Sequence, residues 1–293
     1  MKIAVLVKSF VVTGGMERYA VEVARRLKQK GHEIHLYARA ADPAWTEGII
    51  HHVVPNKRRY SSVANSLSFA RECYKLLQGE NYDVIHSHER GYCQDLLTLH
   101  TFSYKGSTQR FSRIKRIDRV YLSPRSLLYL WLERRQMQTP FLVSVSEAVQ
   151  KDCETCYVKV NHTAVITPGV DTEWFSPGAI GRMRNEVREA ESIRPDDMVV
   201  LFVGSEFKRK GLDDLIPAIG AGMKLWVVGA GERRGHYLGL VERHGLERQV
   251  RFAGHSKDVR RFYAMADVVV LPSISEAFGM VALEGMACGL PVI

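Results

Sequence analysis

One pattern recurs along this chain and constrains its fold more than any other: a short unbroken apolar run, a turn, then apolar residues at helical spacing. The run KIAVLV at residues 2–7 begins it, and MVVLFVG, KLWVVG, QVRFAG and DVVVLP repeat it in the second half. A strand that is apolar at every position has both faces buried, as in a parallel sheet covered by helices. After Gly14-Gly15, residues Met16, Tyr19, Ala20, Val23, Ala24 and Leu27 share one helical face, with Glu17, Arg18, Glu22, Arg25 and Arg26 opposite. Gly31 ends that helix. Strands are expected at Ile34–Ala38, Val53–Val54, Tyr82–His86, Leu96–His100 and Phe141–Val145, with a helix at Ala64–Leu77. Repeated strand–helix–strand units of this kind predict an α/β chain with a doubly wound parallel sheet.

The pattern restarts after a polar stretch, so two αβα domains are expected: residues 1–167, a bridge at 168–197 and a second domain at 198–293. The bridge carries Pro168-Gly169, Ser176-Pro177-Gly178 and Arg194-Pro195-Asp196-Asp197, all turn formers. Gly289-Leu290-Pro291-Val292-Ile293 reads as the entry to another strand, so the second domain is expected to be truncated.

Apolar residues make up 46% and charged residues 25%, which excludes a disordered or collagen-like chain. No run approaches the ~18–20 apolar residues of a spanning helix. Lys8 interrupts the first apolar run, and no small-residue cleavage site follows, so that run reads as a strand and not as a signal peptide. Five cysteines (Cys73, Cys93, Cys153, Cys156, Cys288) are too few for a disulfide scaffold and fit a reducing cytoplasm. The Cys153–Cys156 pair has no companion at zinc-ribbon spacing.

The net charge is +9, and most of it is local. Between Ser103 and Gln136 lie nine cations (Lys105, Arg110, Arg113, Lys115, Arg116, Arg119, Arg125, Arg134, Arg135) against Asp118 and Glu133. With Phe111, Tyr121, Tyr129 and Trp131 interleaved, this segment can face nucleic acid, an anionic membrane or an anionic substrate, or can be a solvated helix face.

Four clusters can carry chemistry. Gly14-Gly15 opens a helix after the first strand, where backbone amides and the helix dipole favour an anion, although such a pair also makes an ordinary turn. Lys208-Arg209-Lys210-Gly211 follows a strand end, where cations can neutralise a diphosphate. Glu276 and Glu284 stand eight apart around Phe278-Gly279-Met280, a separation of ~12 Å on a continuous helix. They cannot form a close dyad but can hold two parts of one extended ligand. His86, His88 and His100 sit at strand ends; the His86-x-His88 pair could bind metal, but no third ligand is evident from spacing. No Asp-x-Asp is present to hold a metal-bound nucleotide sugar. Gly229-Ala230-Gly231 imitates a dinucleotide fingerprint, but its third glycine is displaced and it does not open the fold.

Together, GGMERYAVEVARRLKQKGHEIHLY, PGVDTEWF, FKRKGLDDLI and the E-x7-E of SEAFGMVALEGMACGLPVI resemble the retaining glycosyltransferases of family 4, which have the GT-B fold. The resemblance implies two Rossmann-like domains facing across a cleft. It implies donor contacts by Gly14, Gly15, Lys210, Glu276, Phe278, Gly279, Met280 and Glu284, with His100 near the sugar and its leaving bond. Lys210 matches a lysine on the donor diphosphate, Glu276 the sugar-binding glutamate and Glu284 the ribose-binding one. Gly204-Ser205 stands where many members have Gly-Arg, and Arg209 is expected to supply the missing cation.

The implied reaction is metal-independent transfer of a hexose from a nucleoside-diphosphate sugar, with UDP-hexoses as the implied donors and no cofactor. Within the family, the chain is similar to the lipopolysaccharide core glucosyltransferases, which implies a glycan or glycolipid acceptor. It also implies peripheral contact with the inner face of the cytoplasmic membrane through Arg110, Arg113, Lys115, Arg116 and Arg119. Nucleic acid is not an expected partner. The competing readings are an NAD-dependent oxidoreductase, which lacks its fingerprint, and a non-catalytic binder of anionic membranes, which leaves Lys210, Glu276 and Glu284 unused.

Overall fold

A computed structural model describes residues 1–12, 14–56, 62–109, 123–157, 162–256 and 258–293. The chain divides into two compact units, Met1–Pro168 and Gly169–Ile293.

The first unit is built on β1 (Lys2–Leu6), β2 (Ser9–Phe10), α1 (Gly15–Gln29), β3 (Glu33–Ala38), β4 (Ala40–Ala41), β5 (Ile50–Val53), α2 (Ser62–Leu77), β6 (Val84–Ser87), β7 (Leu96–Leu99), α3 (Tyr104–Gln109), α4 (Pro124–Gln136), β8 (Phe141–Ser144), α5 (Glu147–Cys156) and β9 (His162–Val165). Its main sheet is parallel, in the order β5-β3-β1-β6-β7-β8-β9, with β2 and β4 pairing separately. The order reverses direction between β1 and β6. The unbroken apolar run of β1 divides by the two-residue period of a strand. Ile3, Val5 and Val7 pack with Ala20, Val21 and Ala24 of α1, while Ala4 and Leu6 pack on the other face with Phe69 and Cys73 of α2. Each fully buried aliphatic or aromatic side chain contributes roughly 1.5–3 kcal/mol.

The second unit contains α6 (Pro177–Ala190), β10 (Met198–Val203), α7 (Leu212–Leu215), β11 (Met223–Val228), α8 (Arg234–Arg243), β12 (Val250–Gly254), α9 (Arg260–Met265), β13 (Val268–Val269) and α10 (Met280–Ala287). Its sheet is parallel in the order β12-β11-β10-β13, and Val292 bridges in parallel to Val269 beyond β13. Alternation again sorts the core. Val199 and Leu201 face Phe262, Tyr263 and Met265, while Val200 and Phe202 face Leu212, Ile216 and Tyr237.

The stretch 168–197, expected as a polar bridge, is largely part of the second unit. Phe175, Ile180 and Ile193 are buried in its core. Two arginines of α6 fasten the helix: Arg184 donates to the carbonyls of Ala264 (2.9 Å) and Ala266 (2.7 Å), and Arg188 to that of Met265 (2.9 Å). Both also reach Asp267, which accepts the Val199 amide at 2.7 Å. Turn residues mark where the chain bends but carry no signal of where a helix docks, which explains the difference. Among the described residues no helix is long and apolar enough to cross a membrane.

Candidate functional site

In an open parallel sheet, ligands bind beyond the carboxyl ends of the strands where the strand order reverses. Each unit has such a point, between β1 and β6 in the first and between β10 and β13 in the second.

At the second point, β10 ends at Val203 and the chain turns through 204–211 into α7. Gly211 has φ +76°, and a Cβ there would run into the carbonyl of Pro272, so the loop after β10 lies directly against the loop after β13. The amide of Ile274 donates to the carbonyl of Arg209 at 3.0 Å, a second tie between the same loops. A Cβ on Gly204 would collide with the methylenes of Lys210, whose stem therefore crosses the end of β10. It delivers Nζ to 3.1 Å from Oε2 of Glu276, an oxygen that also accepts from Ser273 Oγ at 3.1 Å. Arg209 lies in the same cluster, its Nη1 3.6 Å from Glu276 Oε2. It is also committed to Glu206 (2.6 Å) and to the carbonyl of Ser275 (2.5 Å).

Beside this cluster Gly279, at φ +85°, caps α10. The first amides of a helix lack intrahelical acceptors, so Phe278, Gly279 and Met280 lie where an anion or hydroxyls can be bound. Glu284 is one turn further along α10, only 5% exposed, and accepts from Tyr263 Oη at 2.7 Å. Glu276 stands in the loop ahead of the helix and Glu284 within it, so the two glutamates do not share a continuous helix.

The first unit gathers a different set. Lys8 follows β1 and donates to Glu89 Oε2 at 2.6 Å and Ser66 Oγ at 3.1 Å, a half-buried ion pair at the switch point. Sequence reasoning treated Lys8 only as an interruption of an apolar run; a charge at a strand's carboxyl end was the available signal. Gly14 caps α1, and the Glu17 carboxyl folds over it closely enough to exclude a Cβ. Burial raises the Glu17 carboxyl above the usual carboxylate range. His86 bonds Thr98 Oγ1 at 2.8 Å, and His88 Nδ1 lies 3.1 Å from His100 Nε2. Tyr19 of α1 packs edge-on against both His88 and His100. Burial pushes His86 and His100 down to about 4, and His88 well below the usual imidazole range, so all three are neutral at pH 7. Sequence reasoning grouped His86, His88 and His100 at strand ends but carried no signal that Tyr19 of α1 packs against two of them.

Among the described residues no three His, Cys, Asp or Glu side chains are arranged to hold a metal ion. The glycines of Gly229-Ala230-Gly231 serve packing. A Cβ at Gly229 would strike the Gly204 carbonyl, and one at Gly231 the ring of Phe207. At the start of the basic segment, buried Glu133 accepts the amides of Tyr104 (2.6 Å) and Lys105 (3.0 Å), fixing the first turn of α3. Arg110, Arg113, Lys115, Arg116 and Arg119 lie outside the described residues.

Residues 13–174 match the model of Glycosyltransferase Family 4, and residues 183–293 that of Glycosyl transferases group 1. A D-inositol 3-phosphate glycosyltransferase of Corynebacterium aurimucosum is 28% identical over 96% of this chain and 74% of its own length. An uncharacterized glycosyltransferase of Methanocaldococcus jannaschii is 26% identical, over 100% of this chain and 80% of its own. Among solved structures, WaaG, a glycosyltransferase involved in lipopolysaccharide biosynthesis, superposes with a TM-score of 0.87 at 21% identity, covering 99% of this chain and 80% of that one. Anabaena HepE in complex with UDP and glucose gives 0.73 at 21% identity, covering 100% and 80%. These likenesses show the fold to be GT-B.

Proposed function

Because the chain belongs to glycosyltransferase family 4, we propose that it moves a hexose from a UDP-sugar to a glycan or glycolipid acceptor, with retention of anomeric configuration and without a metal. The observation that carries this reading is the Lys210–Glu276 pair at the carboxyl ends of β10 and β13, beside the first turn of α10. Lys210 stabilises the charge that grows on the departing diphosphate, and Arg209 adds a second cation when it exchanges Glu206 for phosphate. Glu276 accepts from sugar hydroxyls, and the amides of Phe278, Gly279 and Met280 donate to them or to phosphate. Glu284 takes the ribose hydroxyls. Gly14 and Gly15 supply amides for the diphosphate, and His100 contacts the sugar. The acceptor hydroxyl attacks the anomeric carbon from the face the diphosphate leaves; the bond to the diphosphate oxygen breaks as the new glycosidic bond forms, and the hydroxyl proton passes to the departing phosphate, so no enzyme nucleophile is needed.

The UDP-hexose assignment is supported by the HepE complex, whose fold this chain shares. A lipopolysaccharide-like glycolipid acceptor is supported by the likeness to WaaG and by the basic segment after β7. Its cations would hold a cytoplasmic enzyme on the inner membrane surface, each contributing about 1 kcal/mol against anionic lipid. The test is product detection by mass spectrometry with UDP- and GDP-hexoses against lipopolysaccharide core and soluble polyol phosphates. Transfer from UDP-glucose or UDP-galactose to the glycolipid is expected. Transfer to a polyol phosphate alone would replace the acceptor assignment, and absence of transfer from every donor would sink the reading.

A further inference from the structure

Three histidines from two neighbouring strands meet at the carboxyl edge of the first sheet. His86 is in β6, His88 follows it, and His100 follows β7. His86 is occupied with Thr98 Oγ1 at 2.8 Å, which leaves His88 and His100 to each other. His88 Nδ1 and His100 Nε2 are 3.1 Å apart, so one ring donates and the other accepts. His88 is 4% exposed, and its other nitrogen, Nε2, is buried with no hydrogen-bond partner among the described residues.

The two possible assignments differ in what they leave at that atom. If His100 donates from Nε2, His88 must carry its proton on Nε2, and a buried N–H is left without an acceptor. If His88 donates from Nδ1, only a lone pair goes unused. Orphaned buried N–H groups are the rarer defect in folded proteins. A doubly protonated His88 is excluded by its burial beside two other imidazoles. His100 therefore accepts at Nε2 and carries its own proton on Nδ1, an atom with no partner among the described residues.

We propose that His88 is a positioning residue that holds His100 in the Nδ1–H tautomer, so that His100 offers its ligand a fixed hydrogen-bond donor and no basic nitrogen. Such a donor suits an oxygen rich in electron density, a sugar hydroxyl or a phosphate oxygen. The identity of that ligand rests on the glycosyltransfer reading above; the tautomer does not.

Proton–nitrogen correlation spectra of the imidazoles in the full chain test the tautomer directly, and His88→Phe and His88→Asn separate geometry from bulk. Asn keeps an N–H donor near the place of Nδ1, whereas Phe keeps only the ring. In the wild type His100 should show the Nδ1–H pattern, unchanged between about pH 6 and 8. In His88→Phe that pattern should be lost and kcat should fall by up to about 100-fold, with a smaller change in KM for the donor. His88→Asn should recover a large part of both. An Nε2–H pattern for His100 in the wild type overturns the proposal even if His88→Phe fails to fold. So does a His88→Phe protein with the wild-type pattern and rate. A wild type with the expected pattern but no transfer from any nucleotide sugar leaves the tautomer assignment standing and removes the enzymatic reading.

Discussion

Lys210 Nζ lies 3.1 Å from Glu276 Oε2, although 66 positions separate the two residues in the chain. The strand order β12-β11-β10-β13 makes them neighbours, because it places the loops after β10 and β13 side by side. A cation and a carboxylate held together at that edge are available for opposite parts of one ligand. The ammonium can turn to a phosphate and the carboxylate to sugar hydroxyls.

Lys210→Ala should lower the transfer rate by about 100- to 1,000-fold, the usual cost of removing a group that stabilises transition-state charge. The variant should stay folded by circular dichroism. A rate within about threefold of wild type, more than an order of magnitude short of that cost, would contradict the role given to Lys210.

Gly211→Ala should destabilise the second unit by about 1–3 kcal/mol, since a Cβ at φ +76° meets the Pro272 carbonyl. Gly169→Ala, where a Cβ meets nothing within 4 Å, serves as the control. Thermal unfolding of the two variants checks the difference. Equal midpoints would show that the two loops can separate without loss.

Asp197 is held by Lys224 Nζ at 2.7 Å and by the Arg194 amide and guanidinium. The hydrogen bond from Lys224 first, and then those from Arg194, keep its carboxyl well below the usual carboxylate range. A carboxyl depressed by folding adds stability at every pH above its unfolded value of about 4, and loses it as pH falls toward the folded value. Asp197→Asn should therefore be less stable than wild type at pH 7, with the gap closing below about pH 4. Urea titrations at a series of pH values would read this, and a constant gap down to the lowest pH would contradict it.

The histidines work in another window. His86 and His100 are pushed down to about 4 by burial, whereas in the unfolded chain they protonate near about 6.5. Between those values the unfolded chain binds protons that the folded one does not, so stability is complete above about 6.5 and declines as pH falls. The slope is up to about 1.4 kcal/mol per pH unit for each histidine. Hydrogen exchange read by mass spectrometry should show the first unit loosening near pH 5 while the second is little changed. Equal protection of the first unit at pH 5 and 7 would count against neutral buried histidines.

If the basic segment meets a membrane, the chain should sediment with anionic vesicles, and less so as salt rises, because exposed charges are screened over about 8 Å at physiological ionic strength. Replacing Arg110, Arg113, Lys115, Arg116 and Arg119 with Gln should abolish sedimentation without altering transfer to a water-soluble acceptor. Equal binding to neutral and anionic vesicles would remove the membrane role.

Much of the fold was legible without coordinates, for a local reason. An unbroken run such as KIAVLV is apolar because both strand faces are covered, and β1, β10 and β11 fall where such runs stand. The helix α10 begins after the glycine at 279, so the E-x7-E spacing spans a loop and a helix and not one continuous helix. The stretch 168–197 reads locally as a bridge, and its docking depends on Arg184 and Arg188 reaching backbone carbonyls some 77–82 positions away. His88 was visible as half of an H-x-H, but nothing local says that it bonds His100 and leaves Nε2 without a partner among the described residues.

By itself, the order of residues determined most strands and helices, though not the short β2, β4 and β9, and where glycine loops and charged residues fall, because those follow from periodicity and from neighbours a few positions apart. Only the tertiary structure decided which charges meet. Lys210 finds Glu276, Lys8 finds Glu89 and Tyr263 finds Glu284 through the lateral order of strands and the packing of helices upon them. That order minimises exposed apolar surface over the whole unit, a quantity that no short window of sequence contains.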